Sequence, residues 1–204
     1  MRFEVKTPRK KDKRSVETER SIKACLLELL ATKRFGDITV SETCRAAGIT
    51  RATFYQHYDN LADVLDRLLD DVADGIGDIP LEMCESFAPR SGAPAEAHAW
   101  SGIPFCHFYA SRNPYRALLE DGWIAERLIE HIVDSKLDDM LSAYDDDRRW
   151  TSEERARMRY FNIFRMNGCL AAVKAASRNG YDWSLVQPGL DSALAAAIET
   201  AMPA

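Results

Sequence analysis

Residues 38–68 read ITVSETCRAAGITRATFYQHYDNLADVLDRL, and this stretch decides the fold. It opens on Thr39-Val-Ser-Glu42, a hydroxyl residue followed three positions later by a glutamate. This spacing is a capping box, in which the two side chains satisfy the first free N–H groups of a helix. The pattern predicts a second helix of the chain that begins at Val40 and is short, because Gly48 ends it.

Two more helices follow this turn, and one precedes it. Thr50 caps a third helix over 51–57, and Asn60-Leu-Ala-Asp63 caps a fourth that runs to about residue 75. A first helix is predicted over 15–34, with Gly36 as its stop, from apolar residues spaced by three and four: Ile22, Leu26, Leu29 and Leu30. Two short helices joined by a tight glycine turn and packed on a longer one are typical of a helix-turn-helix.

The third helix has two different faces. Phe54 and Tyr58 point toward the predicted core, where helix one lies. The opposite face presents Arg51, Ala52, Tyr55 and Gln56, with Thr53 and His57 at its edge. An arginine can donate twice to guanine and an alanine can touch a thymine methyl, so this donor-rich surface suits the major groove. Hydroxyl and imidazole groups beside it suit phosphate contacts.

Charge is distributed unevenly along the chain. Residues 1–60 hold 13 Lys+Arg and 8 Asp+Glu, a net of +5, whereas residues 61–204 hold 14 and 24, a net of −10. The basic head, with a disordered arm over 1–14, points to a small polyanion-binding module fused to an acidic body. The five cysteines are scattered without a CxxC pair, which favours a reduced cytosolic protein.

The body, residues 61–204, has no period-two alternation, so the predicted fold is all-α. Its most loop-like part is 75–104, which is rich in Gly and Pro. Beyond the loop, apolar spacing and turn residues predict further helices over 104–112, 114–120, 124–144, 152–179 and 184–202. No apolar run approaches the ~18–20 residues of a membrane span, so no membrane partner is expected.

The chain resembles the TetR/AcrR (tetracycline-repressor) family of bacterial regulators over about residues 18–68. The resemblance is carried by Phe35, Ile38-Thr39-Val40, Ala46-Ala47-Gly48-Ile49-Thr50, Thr53-Phe54-Tyr55-Gln56-His57-Tyr58, Asn60 and Leu61. It implies an N-terminal three-helix DNA-binding domain over 15–60 and a C-terminal helical domain that binds a small-molecule effector and dimerises. It also implies a homodimer on a double-stranded DNA operator, with contacts from Thr39, Thr50, Arg51, Ala52, Thr53, Tyr55 and His57.

Two positions depart from that family. Relatives often carry Lys where this chain has Asp59, and again where it has Leu61, and the latter Lys commonly contacts phosphate. The loss of two cations should weaken affinity for the DNA backbone. We expect the basic arm to compensate, so that truncating residues 1–14 lowers affinity and flattens its salt dependence.

The body, residues 61–204, supplies candidate residues for effector binding and for dimerisation. Aromatic residues and one arginine are predicted to line an effector pocket: Phe105, Phe108, Tyr109, Trp123, Tyr160, Phe164 and Arg165. His107 and His131 are possible polar handles for the same effector. Small residues around aliphatic ridges are predicted to form the dimer interface: Phe161, Ala172, Leu190, Leu194 and Ile198. Packing inside one monomer is the alternative for both sets.

The sequence therefore predicts a cytoplasmic, nucleoid-associated transcriptional regulator, a repressor released by its effector, and not an enzyme. One alternative is an adaptor that keeps the fold, no longer binds DNA and acts through protein contacts; Asp59 and Leu61 are its support. Another is a metal-dependent enzyme using Cys84, His98, Cys106 and His107, but their spacing fits no structural zinc pattern. No cofactor or metal is expected.

Overall fold

The computed structural model describes residues 13–76, 115–144 and 149–181. Seven α-helices and one 3-10 turn account for these residues, and no strand occurs among them. The all-α prediction is confirmed. The chain divides into two compact units, Met1–Leu68 and Leu69–Ala204. The predicted domain boundary after residue 60 stays a prediction.

The helices follow the predicted order. In chain order they are α1 (Lys13–Leu30), the 3-10 turn (Phe35–Asp37), α2 (Val40–Ala46), α3 (Arg51–Tyr55), α4 (Leu61–Ile76), α5 (Arg116–Glu120), α6 (Gly122–Tyr144) and α7 (Ser152–Arg178). The predicted helices over 104–112 and 184–202 lie outside the described residues, as do residues 77–104 of the predicted loop and residues 1–12 of the arm.

The first unit has a core drawn from all of its helices. Helix α1 packs against α2, and α2 packs against α3. The buried side chains come from α1 through α4: Ile22, Leu26, Leu30, Cys44, Phe54, Val64, Leu65 and Leu68. Five of these, including Phe54, are completely inaccessible to water. The unit therefore buries an apolar seam that holds the short helices against α1.

Helix α1 ends earlier than its sequence predicts. It stops at Leu30, not at residue 34, and Gly36 lies inside the 3-10 turn instead of ending the helix. The Leu29 carbonyl of the last turn accepts the backbone N–H groups of Thr32 and Lys33, at 3.1 and 3.0 Å, and the Thr32 hydroxyl at 3.2 Å. Lys33, predicted in the last turn, is instead bonded to a side chain of α2.

Helix α3 is also shorter than predicted, ending at Tyr55 instead of residue 57. The next two residues still turn back, because the N–H groups of His57 and Tyr58 both donate to the Phe54 carbonyl, at 2.9 and 3.0 Å. This turn buries Tyr58, which the sequence predicts to lie in the core. Asn60 then caps α4 as predicted, accepting the N–H of Asp63 at 3.1 Å.

The second unit is built on the packing of α6 against α7, with α5 packed on α6. Side chains of one face of α6 are buried throughout its length: Ile124, Leu128, Ile129, Ile132, Val133, Met140 and Leu141. Arg159 of α7 donates to Asp134 of α6, with Nη2 2.9 Å from Oδ2. Arg155 and Asp138 form a second ion pair between the same helices. The two pairs run in opposite chain directions, as expected for antiparallel helices.

Candidate nucleic-acid interface

The start of α2 is fixed by the predicted capping box. The Thr39 hydroxyl accepts the N–H of Glu42 at 3.2 Å, and the Glu42 carboxylate accepts the N–H of Thr39 at 3.0 Å. Thr39 is exposed, and it stands at a helix N-terminus whose remaining N–H groups favour an anion. The box therefore sets the position of a hydroxyl that is predicted to lie near phosphate.

The turn between α2 and α3 depends on Gly48. Its φ is 65°, in the left-handed region that glycine adopts without steric cost. The N–H of Ile49 then donates to the Cys44 carbonyl at 3.0 Å. The Thr50 hydroxyl accepts the N–H of Thr53 at 3.1 Å, and α3 begins at the next residue after Thr50, as predicted.

Helix α3 presents the two faces that its sequence predicts. Phe54 is completely inaccessible and Tyr58 is buried, with the two rings 6.0 Å apart. On the other side lies what we call the α3 surface, made of exposed Arg51, Ala52, Tyr55 and Gln56 with half-buried Thr53 and His57 at its edge. The candidate DNA-reading residues thus share one surface, although DNA contact itself stays a prediction.

Two side chains of the α3 surface are joined to each other. Arg51 and Tyr55 lie one turn apart, and a hydrogen bond between their side chains raises the pKa of Arg51 above its ordinary value. An arginine guanidinium is charged at physiological pH with or without this bond. Tyr55 is half exposed, so the pair lies on the solvent-facing side of α3.

A second contact near the surface has no counterpart among the predictions. Lys33, just after α1, donates to Glu42 of the capping box, with Nζ 2.6 Å from Oε1. The two residues are nine positions apart and lie in different elements, so helical spacing does not predict their contact. Because of this bond, the Glu42 carboxylate both caps α2 and connects that helix to the segment just after α1.

The variant Glu42→Gln is expected to be slightly less stable than the unmodified chain at neutral pH. The hydrogen bond from Lys33, and then those from Thr39, lower the pKa of Glu42 from 4.5 to about 2. A lowered carboxyl pKa stabilises the fold above the unfolded-state value, and this contribution is lost as the pH falls through the folded-state value. The difference in thermal midpoint between Glu42→Gln and the unmodified chain, measured by circular dichroism, should disappear between pH 4.5 and pH 2.

The matched control for that series is Glu28→Gln, which removes an exposed carboxylate from α1. A gap for Glu42→Gln that stays constant down to pH 2, or that Glu28→Gln reproduces, would contradict the assigned role of the Lys33 bond.

A third contact engages a predicted DNA-binding residue. His57 Nδ1 lies 3.3 Å from Oε1 of Glu19, which is on α1 and 38 positions earlier in the chain. The side chains are only 13% and 21% exposed. His57 is therefore held against α1 at the edge of the α3 surface, a placement that no local pattern predicts.

The predicted effector-pocket residues differ in their exposure to solvent. Trp123, Tyr160 and Phe164 are exposed, by 48%, 66% and 74%, so in the described part of one chain they do not line an enclosed cavity. Arg165 is buried, and its Nη2 donates to the Asn162 side-chain oxygen at 2.9 Å. Phe105, Phe108 and Tyr109 lie outside the described residues. The effector pocket stays a prediction.

A cleft of about 340 Å³ lies along α6 and is lined by Arg127, Glu130, His131, Asp134 and Ser135. Its histidine is bonded to α4, with Nδ1 3.0 Å from Oδ1 of Asp70. The sequence indicates His131 only as a possible polar handle on an effector. The cleft could not be found from sequence because its shape depends on how the helices of this unit pack.

The predicted dimer residues are only partly described. Phe161 and Ala172 are half-buried on α7, whereas Leu190, Leu194 and Ile198 lie outside the described residues. Exposed small residues, Gly168 and Ala171, continue the outer face of α7 beyond Phe164. This face is compatible with close helix approach, and dimerisation stays a prediction.

The metal-enzyme alternative depends on residues outside the described part of the chain: Cys84, His98, Cys106 and His107. Within residues 13–76, 115–144 and 149–181, no group of three or more His, Cys, Asp or Glu is placed to hold a metal ion. Among the helices described, none is both long and apolar enough to cross a membrane.

One sequence relative bears on the function. The chain is 37% identical over 59 residues, 28% of its length, to YxbF of Bacillus subtilis (strain 168), described as an uncharacterized HTH-type (helix-turn-helix) transcriptional regulator. The matched segment spans only 16% of that protein's length. No protein-family profile matches the chain.

A solved structure shows the same fold over nearly the whole chain. The dihydroxyacetone kinase operon activator DhaS aligns with a TM-score of 0.52, covering 91% of this chain and 98% of that protein. Sequence identity is 14%, so the similarity establishes the fold and not the function. The all-helical architecture with an N-terminal helix-turn-helix therefore occurs in a protein of matching length.

Proposed function

We propose that the chain is a sequence-specific DNA-binding transcriptional regulator. The observation that carries the proposal is the α3 surface, where donor side chains are exposed on a helix held from behind by buried Phe54. The turn that presents this helix is fixed by Gly48, and its first turn is capped by Thr50. A rigid helix with an outward arginine, tyrosine and glutamine is what major-groove reading requires.

Charge supports the same proposal. The first 60 residues carry a net charge of +5 in a chain whose total is −5, so positive charge is concentrated in the part of the sequence that holds the α3 surface. Lys33, Arg34 and Arg45 are exposed on this unit in addition to Arg51. Such a distribution attracts the phosphate backbone and leaves the acidic body repelled by it.

The finer features of the proposal rest on the resemblance to TetR/AcrR regulators. They are a cytoplasmic homodimer that reads paired half-sites, an effector site in the body, and repression that the effector relieves. The helix α4 begins in the first unit and ends in the second, so it is the proposed carrier of the coupling. The solved protein of similar fold is named an operon activator, so the sign of regulation needs its own test.

The test begins with selection of duplexes from a random DNA pool by the full-length protein. Selected duplexes are then titrated by fluorescence anisotropy, alongside the region upstream of the chain's own gene. We expect an enriched, two-fold symmetric sequence bound at least ~10³-fold more tightly than random DNA at physiological salt. Enrichment of no sequence would overturn the proposal and favour the adaptor alternative.

The direction of regulation is read from a reporter placed behind the selected sequence. Higher expression on deletion of the regulator indicates repression, and lower expression indicates activation. Analytical ultracentrifugation of the protein alone and bound to the duplex reports whether one or two chains occupy a site.

Removing residues 2–12 is expected to weaken DNA binding and to flatten its salt dependence. This truncation deletes five cations, Arg2, Lys6, Arg9, Lys10 and Lys11, yet leaves α1 intact from Lys13. For each phosphate that the arm no longer neutralises, the slope of log affinity against log salt falls by about 0.9. The measurement is anisotropy at four salt concentrations between 50 and 200 mM, roughly the range over which such slopes are resolved.

The matched control keeps the length of the arm and changes those five cations to serine. It should reproduce the truncation, because the proposed contribution is charge and not chain length. A slope unchanged in both variants would show that the arm does not compensate for Asp59 and Leu61.

A further inference from the structure

The contact between His57 and Glu19 has a chemical consequence for the α3 surface. His57 lies at the edge of that surface, and its Nδ1 is 3.3 Å from a carboxylate oxygen of α1. Both side chains are mostly shielded from water, at 13% and 21% exposure. The ring is therefore oriented by α1, with one nitrogen already engaged within the protein.

An ionised carboxylate can accept hydrogen bonds but cannot donate one. The hydrogen bond to Glu19 therefore requires a proton on Nδ1 of His57. In the neutral imidazole, a proton on Nδ1 leaves Nε2 as an acceptor. A phosphate oxygen is also an acceptor, so the neutral ring has no proton to offer it. Only the doubly protonated ring can donate to Glu19 and to a phosphate at once.

We propose that Glu19 is a positioning residue that fixes the tautomer of His57, so that His57 donates to a DNA phosphate only when protonated and affinity rises as the pH falls. This inference rests on the proposed function and adds regulation to it. Binding of DNA then takes up one proton at each α3 surface.

Further charged residues lie on α1, on the segment that follows α3 and at the start of α4. Lys23 follows Glu19 by one turn on the same face of α1, and Asp59 follows His57 on its own segment. Asp63 of α4 accepts the N–H of Asp59 at 3.0 Å. Carboxylates and ammonium groups ordinarily titrate outside pH 6–8, whereas histidine ordinarily titrates at about 6.5. A proton taken up in that window therefore reports an imidazole.

The sign of the effect follows from linkage. A bound phosphate favours the protonated ring, so affinity for DNA increases as the pH falls. Log affinity changes by up to about one per pH unit for each ring, or tenfold.

The experiment uses the full-length protein and a duplex selected from the random pool, titrated by anisotropy from pH 5.5 to 8.5 at constant ionic strength. The unmodified protein should bind more tightly at low pH. His57→Gln should bind weakly with a flat profile, because glutamine does not titrate. Circular dichroism melting shows that each variant is folded.

Glu19→Gln separates positioning from a merely structural role. A carboxamide can donate to Nδ1, which allows the neutral ring to carry its proton on Nε2. This variant should also be flat, but it should bind tightly at pH 8.5, opposite to His57→Gln. His131→Gln, which changes a histidine of the second unit, is the matched control and should keep the slope.

Two DNA-binding results would overturn the inference. One is a pH slope that His57→Gln leaves intact, and the other is weak binding by folded Glu19→Gln at high pH. Nitrogen-15 NMR of the imidazole tests the tautomer without DNA, and a proton on Nε2 of neutral His57 would also overturn it. If no duplex is selected at any pH, the proposed function fails as well. If a duplex is selected but His57→Gln leaves the pH slope of its binding unaltered, only the inference fails.

Discussion

Arg51→Ala is expected to weaken binding of the selected duplex by about 10- to 100-fold while leaving binding to random DNA within severalfold. A bidentate contact from arginine to guanine contributes about 1–3 kcal/mol of discrimination against the wrong base. Arg51 is exposed at the first position of α3, the end of the helix that contacts bases in a helix-turn-helix. The measurement is anisotropy with both duplexes at one salt concentration.

The matched control is Arg67→Ala, which removes an exposed arginine from α4 in the same unit. It takes away the same charge, so it should change affinity for both duplexes slightly and equally. Equal losses for Arg51→Ala and Arg67→Ala would mean that Arg51 contributes only its charge, and the assigned base contact would be wrong.

Tyr55 extends the test, because its side chain is hydrogen-bonded to Arg51. Residues that share an interaction lose less together than the sum of their separate losses. The double variant Arg51→Ala/Tyr55→Ala should therefore cost less than the two single variants added. Strict additivity would show that the pair does not act on DNA as one group.

The helix-turn-helix could be predicted because its signals are local. The bonds of Thr39 with Glu42 and of Thr50 with Thr53 each span three residues, so the sequence alone displays both partners. The burial of Phe54 follows from helical spacing in the same way. Local chemistry was sufficient to locate α2, the turn and the exposed side of α3.

The contacts between elements could not be predicted in this way. Lys33 meets Glu42, and His57 meets Glu19, across nine and 38 positions of chain. Such pairs depend on how α1 lies against the short helices, which periodicity does not specify.

In the second unit, residue type was a poor guide to burial. Tyr160 and Phe164 are exposed on α7, whereas Asn162 and Arg165 of the same helix are buried. Asn162 donates to the Met158 carbonyl at 2.9 Å and accepts from Arg165, so these polar groups are bonded inside the protein. Hydrophobic residues often remain at the surface, and bonded polar ones can be buried, so composition alone cannot separate pocket from core.

Phe54→Ala is expected to be the most destabilising single change in the first unit. The ring is completely inaccessible, and it contacts the rings of Tyr55 and Tyr58 at centroid distances of 5.5 and 6.0 Å. Truncating a buried phenylalanine costs about 3–5 kcal/mol, a large part of the roughly 5–15 kcal/mol that stabilises a typical domain. Urea unfolding followed by circular dichroism should show a much lower midpoint.

Tyr55→Ala is the matched control, because it removes an aromatic ring from the next position on the opposite face. Tyr55 is half exposed, so its loss should cost only about 0.5–1.5 kcal/mol, the contribution of its edge contact with Phe54. The loss of stability in Phe54→Leu should fall between those of the two alanine variants, because leucine refills most of the volume.

The proposed function requires that Tyr55→Ala lose specific DNA binding while folded, whereas Phe54→Ala loses it by unfolding. A folded Phe54→Ala, within about 1 kcal/mol of the unmodified chain, would show that α3 is not held by this ring.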